Sequence, residues 1–205
     1  MKKLSIVLTL VLCASAFFCV PASAAADEAR LYVKAHGTEV TVTVKTNNAL
    51  GALQGAVKYT DGAFEYDDAA AAEAILANNA KASSFQNVTG ATKLALVGDP
   101  TNGTSGEWAT VTYSAEEGTA LNFEFANIKA FDASGDVLQP TEKVILPGDV
   151  DNDKTVTIKD YVRLKRYYCS GTAISSQVEN KDVDTNGSYQ ANFDIPQLRK
   201  DLIGL

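Results

Sequence analysis

Hydrophobic and polar residues alternate with period two through much of residues 28–146. Glu39-Val40-Thr41-Val42-Thr43-Val44-Lys45-Thr46 sets Val on one face and polar side chains on the other, the pattern of a half-buried strand. Trp108-Ala109-Thr110-Val111-Thr112-Tyr113 alternates again. Leu94-Ala95-Leu96-Val97 runs into Gly98-Asp99-Pro100, a turn signal. Leu121–Phe125, Ile128–Phe131 and Val144–Leu146 read as further strands, with a turn at Ser134-Gly135. The spacing predicts about seven to nine short strands in roughly 120 residues, the signature of a two-sheet antiparallel β-sandwich. One stretch dissents. Asp67–Asn79 (DDAAAAEAILANN) is Ala-rich with acids at its start, which predicts a short helix or long loop inserted between strands.

From Pro147 onward the pattern becomes helical with acidic loops, and it repeats. Asp149-Val150-Asp151-Asn152-Asp153 opens the first copy and Asp160 closes it; counting from Asp149, oxygens fall at positions 1, 3, 5 and 12. A hard cation such as Ca²⁺ takes six to eight oxygens, and a twelve-residue loop flanked by helix presents them at this spacing. Asp149, Asp151 and Asp153 are the side-chain ligand candidates, with Thr155 through its carbonyl, Thr157 through water and Asp160 from the first turn of the next helix. The second copy supplies Asp182, Asp184 and Asn186 at positions 1, 3 and 5, Gly187 for the bend and Ser188 for the carbonyl. Its closing carboxylate, Asp194, arrives one residue late, at position 13. Behind both closing acids the helices match: Leu164-Lys165-Arg166 against Leu198-Arg199-Lys200. Pro196 is read as lying in the first helical turn, where a missing N–H costs nothing. Lys154 stands at position 6, where Gly ordinarily accepts a positive φ. Two metal sites of different affinity are expected. The fold class is mainly β: a sandwich followed by a small all-α domain of two EF-hand-like calcium loop–helix repeats.

Composition sharpens this reading. The 205 residues carry a formal net charge of −7, which repels phosphates and argues against a nucleic-acid partner. A hydrophobic content of 46% excludes wholesale disorder, although much of it is Ala. A single His (His36, beside Gly37 in a turn) argues against His-based metal sites and most His-dependent catalytic triads. Met1-Lys2-Lys3, the apolar run Leu4–Val20 and Ala22-Ser23-Ala24 make residues 1–24 a signal peptide rather than a membrane span, so a secreted, extracellular chain with no membrane partner is expected. Cleavage after Ala24 removes Cys13 and Cys19 and leaves Cys169 alone, read as a small half-buried residue near a helix end. With no disulfide to form, calcium is the candidate stabiliser.

At Gly148–Asp153, Asp160, Leu164-Lys165-Arg166, Asp182–Gly187 and Leu198-Arg199-Lys200, residues 147–205 resemble a dockerin, the calcium-dependent docking module of cellulosomes. The resemblance implies two Ca²⁺ sites and a cohesin domain of a scaffold protein as partner. It places the contacts just before and one to two turns after each closing Asp, at Ile158, Lys159, Lys165 and Arg166, then Asn192, Phe193, Arg199 and Lys200. Ile158-Lys159 differs from Asn192-Phe193, which implies a single binding orientation.

Residues 28–146 resemble, at the level of pattern, a cohesin domain. The resemblance rests on Leu53–Asp61, Gly106–Tyr113 and Leu121–Ala130 with Asp132–Asp136. It implies a non-catalytic adaptor of a cellulosome-type polysaccharide-degrading complex, docking into one scaffold and receiving dockerin-bearing enzymes. Two other readings stay open. A carbohydrate-binding module would need exposed rings, with Trp108, Tyr59, Tyr66 and Tyr113 as candidates, although Trp108 reads as core. A glycoside hydrolase would need two paired carboxylates; Glu65, Asp67, Asp68, Glu107 and Glu124 are present without a spacing that pairs them. Only Pro147 and Gly148 separate Leu146 from Asp149, so the modules should be closely coupled, an intramolecular clasp of the cohesin-like partner face on the chain's own docking module should be sterically disfavoured, and the chain should be a monomer.

Overall fold

The computed structural model describes residues 27–79, 83–174 and 176–203. The expected signal peptide lies outside the described residues. Ten strands form the first module: β1 (Glu28–His36), β2 (Glu39–Leu50), β3 (Ala52–Tyr59), β4 (Glu65–Ala71), β5 (Ser84–Val88), β6 (Ala91–Val97), β7 (Thr104–Ser114), β8 (Phe123–Phe131), β9 (Val137–Leu138) and β10 (Thr141–Ile145), with a short helix α1 (Glu73–Asn79) between β4 and β5. They build two five-stranded sheets, in the orders β10-β1-β2-β7-β4 and β5-β6-β3-β8-β9. All pairings are antiparallel except β1 with β10, which run parallel from Glu28 opposite Thr141 to Tyr32 opposite Ile145.

The period-two pattern decides which side chains enter the core. Val40, Val42 and Val44 of β2 and Leu31 and Val33 of β1 face inward against Leu53, Val57, Leu94, Leu96 and Phe125 of the opposite sheet, all buried. Each such side chain contributes about 1.5–3 kcal/mol on removal from water. Trp108 is fully buried, and its indole N–H donates to Thr46 Oγ1 at 2.9 Å. Tyr113, also buried, donates its hydroxyl to Thr92 Oγ1 at 2.9 Å, and burial pushes its phenol pKa well above the ordinary value. Its ring packs against Tyr59 and Phe123 at centroid separations of 4.9 and 5.5 Å.

Two readings of the pattern are corrected. The Ala-rich stretch is helical only from Glu73; Asp67–Ala71 belongs to β4, which pairs with β7 at the sheet edge. Helix propensity loses there to the unpaired backbone edge of β7, whose N–H and C=O groups need partners. The segments 121–125 and 128–131 are not two strands. From Phe123 onward they form the single strand β8, bulged against β3 between Gln54 and Ala56, with Asn127 at φ +55°. The bulge reverses the inward parity from Phe123 and Phe125 to Ala130, which is why the alternation looked broken. Gly55 lies opposite; a Cβ there would stand 2.6 Å from the Phe125 ring.

Thr46→Val keeps the shape of the core but leaves the Trp108 N–H without its acceptor. Urea unfolding followed by tryptophan fluorescence should show a loss of about 1–3 kcal/mol; an unchanged midpoint and slope would contradict the assignment of this bond.

Candidate metal centre

The C-terminal module consists of two loop–helix units, with helix α2 (Ile158–Ser170) after the first loop, a 3₁₀ turn at Val178–Lys181, and helix α3 (Ala191–Ile203) after the second. In the first loop Asp149 is fully buried and accepts the backbone N–H of Asn152 at 2.7 Å and of Lys154 at 3.1 Å. Asp153 accepts the N–H of Thr155 at 2.9 Å. Carboxylate oxygens of Asp149, Asp151 and Asp153 all lie within 4.8 Å of one another. Asp160, fully buried, ties the loop to its helix: Oδ1 accepts the amides of Val150 and Asp151 at 3.0 and 3.2 Å, and Oδ2 accepts that of Thr157 at 2.9 Å. Thr157 is the N-cap of α2 and Asp160 its N3 residue, a reciprocal capping box.

The second loop repeats this wiring. Asp182 accepts the amides of Asn186 and Gly187 at 3.0 and 2.8 Å, and Asn186 Oδ1 accepts that of Ser188 at 2.8 Å. Asp194 Oδ1 accepts the amide of Val183 at 3.0 Å, as Asp160 does for Val150. Oxygens of Asp182, Asp184 and Asp194 lie within 4.8 Å of one another. The extra residue is absorbed in the first turn of α3, which starts at Ala191, so the late carboxylate still reaches its loop. Pro196 is therefore the sixth helical residue, not a first-turn one; its ring removes the bond to the Asn192 carbonyl, a cost the sequence reading placed at zero. Both loops turn left-handed at the same two positions, Asn152 (φ +64°) with Thr185 (φ +58°) and Lys154 (φ +66°) with Gly187 (φ +83°). The expectation of a positive φ at Lys154 holds, at about 1–2 kcal/mol of strain for a side-chain-bearing residue.

These carboxylates repel one another. Burial, opposed by the Asn152 and Lys154 amides and reinforced by Asp160 and Asp153, raises the Asp149 pKa; burial likewise raises those of Asp160 and Asp182. The Thr155 hydroxyl lowers that of Asp153. Arg163 approaches Asp151 at 3.5 Å but is half exposed. Tyr168 donates to Asp194 Oδ2 at 2.7 Å. Two sets of hard oxygen donors, partly buried and repelling one another, fit a divalent cation of the calcium type.

Behind the loops, Val150, Leu164, Val183 and Leu198 form a small core, fully buried. The eight nominated contact residues all lie on the surface: Ile158 (65% exposed), Lys159, Lys165 and Arg166 on α2, and Asn192, Phe193 (50% exposed), Arg199 and Lys200 on α3. Cys169 is exposed on α2, not half-buried, because the helix turns that position away from the four-residue core. Sequence reading missed Asn180. It is buried, and it joins the modules: its amide donates to the Asp149 carbonyl at 2.8 Å, and its Oδ1 accepts the Leu146 N–H at 3.1 Å. Nothing in the motif spacing marks it, since its bonds are to backbone of the first loop and of the end of the sandwich.

A β-sandwich joined to twin acidic loop–helix units defines a two-module chain. Residues 147–202 match the dockerin type I domain family. The sandwich is similar to a chain of a type I cohesin–dockerin complex from Clostridium thermocellum, at 15% identity over 59% of this chain and 99% of that one, TM-score 0.49. It is similar to the sixth cohesin of scaffoldin B from Acetivibrio cellulolyticus, solved with a dockerin, at 15% identity over 58% and 99%, TM-score 0.46. It is also similar to a non-cellulosomal cohesin from the archaeon Archaeoglobus fulgidus, at 18% identity over 58% and 91%, TM-score 0.43. No curated protein matches the chain.

Asp160→Ala leaves three backbone amides, of Val150, Asp151 and Thr157, without their acceptor and removes the N3 half of the capping box even without metal. Its C-terminal helices should lose about 1–3 kcal/mol in chelator, read by ellipticity, whereas the exposed Asp153→Ala should stay within about 0.5 kcal/mol. Equal effects would contradict the organising role of Asp160.

Proposed function

We propose that this chain is a secreted, non-catalytic adaptor in which residues 147–205 bind two calcium ions and dock a cohesin of a scaffold protein, while residues 28–146 receive dockerin-bearing enzymes of a polysaccharide-degrading complex. The observation that carries the reading is the coincidence of the dockerin match over residues 147–202 with the two acidic clusters at Asp149, Asp151, Asp153 and at Asp182, Asp184, Asp194. Asp160, Thr155, Asn186 and Ser188 complete the two ligand sets. The exposed α2 face with Ile158, Lys159, Lys165 and Arg166, and its α3 counterpart with Asn192, Phe193, Arg199 and Lys200, are the docking surface. An exposed Ile and Phe flanked by basic side chains suit a partner patch that is apolar at its centre and acidic at its rim.

The sugar-binding alternative finds less support. Trp108 and Tyr113 are fully buried, and Tyr59 and Tyr66, partly buried, pack against Tyr113 at 4.9 and 6.2 Å between ring centroids, so two of the four rings are core and the other two lean on it. Of the carboxylates considered for hydrolysis, Glu65, Asp67 and Asp68 share the edge strand β4, Glu107 lies on β7, and Glu124 lies on β8 of the other sheet beside Lys58 at 3.6 Å.

Calorimetric titration of the full chain should show two equivalents of Ca²⁺ and, in calcium, capture of at least one member of a cohesin panel that chelator reverses. Asp149→Ala/Asp182→Ala should abolish both. A single equivalent, or cohesin capture indifferent to chelator, would contradict the reading. In secretome pull-down the sandwich should retain dockerin-bearing enzymes; retention of polysaccharide instead would favour the sugar binder. Sedimentation in calcium should show a monomer, and concentration-dependent association would indicate that the two modules recognise each other between copies.

A further inference from the structure

The two modules meet through their metal loops. In the first loop, Lys154 at position 6 gives its carbonyl to the Leu121 N–H at 2.7 Å and its ammonium to Asn122 Oδ1 at 2.8 Å, both on the connection between β7 and β8. In the second loop, the carbonyl of Val183 at position 2 accepts Lys34 Nζ of β1 at 2.6 Å. Val156, also in the first loop, packs against both hydrophobic cores. Around these lie the Gln177 side-chain amide on the Val144 carbonyl at 2.6 Å and the ion pair of Lys143 with Glu179.

The residues so held are the ones on which loop geometry depends. Lys154 is the left-handed residue whose own N–H donates to Asp149, and Val183 is the residue whose N–H donates to the closing Asp194. A Lys in that backbone region reverts readily to negative φ unless something retains it. Here the sandwich retains it by carbonyl and side chain together. The same contacts that fix the modules therefore hold each loop in its ligand-presenting shape.

We propose that the metal loops are also the fasteners between the modules: cation binding and inter-module docking are thermodynamically coupled, so that the chain is one rigid body with both loops filled and two loosely tethered modules without metal. This rests on the calcium reading above. By reciprocity, whatever factor the docked sandwich adds to cation affinity, the cation adds to docking.

Trp108 is the chain's only tryptophan and lies in the sandwich core, so its fluorescence reports that module alone. In the full chain, Ca²⁺ should raise the Trp108-reported melting midpoint relative to chelator by about 2–6 °C, the scale expected for a coupling of this kind in a domain of this size. Asn122→Ala/Gln177→Ala removes two uncharged side chains that bridge the modules and no ligand. It should cut that shift by half or more and weaken Ca²⁺ binding about 3–10-fold, with helical ellipticity at saturating Ca²⁺ unchanged. Lys34 is kept, because deleting an ammonium near Asp182 and Asp184 would alter cation affinity through charge alone. In a Lys154→Gly background, where the loop needs no help to turn, Asn122→Ala should have no further effect on affinity. If Ca²⁺ releases heat and raises ellipticity while the Trp108 midpoint stays put and the double variant binds like the parent chain, the coupling is wrong and the metal reading stands. If there is neither heat nor ellipticity change, the metal reading itself fails and takes the coupling with it.

Discussion

The C-terminal module depends on one kind of bond: a buried carboxylate at the start of each helix accepting the second amide of the loop before it. Asp160 holds Val150, and Asp194 holds Val183. Each bond closes a loop of acids against a helix N-terminus, where the helix field favours negative charge. It also brings Val150 and Val183 over Leu164 and Leu198, the four fully buried apolar residues of that module. A core so small cannot hold a domain of this length without a staple. Cys169 is the only cysteine among the described residues, so no disulfide within them serves. The repelling carboxylates unsettle the fold on their own; on the calcium reading proposed above, a divalent cation between them is what would close it.

The sandwich is stabilised differently. Its interior is filled from two sheets with inward Val, Leu and aromatic side chains, and two buried rings carry paired polar groups, Trp108 on Thr46 and Tyr113 on Thr92. It therefore offers a firm surface against which the weaker module can order. Asn180 shows how tightly the two are joined, since one buried side chain serves the end of β10 through Leu146 and the first loop through Asp149.

Much of this was legible in the sequence, for physical reasons that can be named. Strict alternation in 39–46 and 108–113 located the central strands because a half-buried sheet imposes period two. Acid spacing located both loops because a cation's coordination shell fixes the distance between ligands. What escaped depends on contacts far apart in the chain. The strand at Glu65–Ala71 exists because β7 needs a neighbour, and no local pattern announces that. The bulge at Asn127 merged two apparent strands by shifting parity. Helix α3 starts at the same loop position as α2, and the extra residue enters its first turn before Asp194, which puts Pro196 in the second turn. Lys34 and Asn180 act through backbone groups of the other module, at Val183 and Leu146, where a hydrogen bond leaves no residue-type signature in the partner, and Asn122 meets the Lys154 ammonium across a separation no local pattern spans.

The most direct measurement is amide hydrogen exchange at Val150 and Val183 in the full chain, with and without Ca²⁺. Both amides should be protected through Asp160 and Asp194 and should slow further, together, when Ca²⁺ is added. Fast exchange at both positions in saturating Ca²⁺ would contradict this.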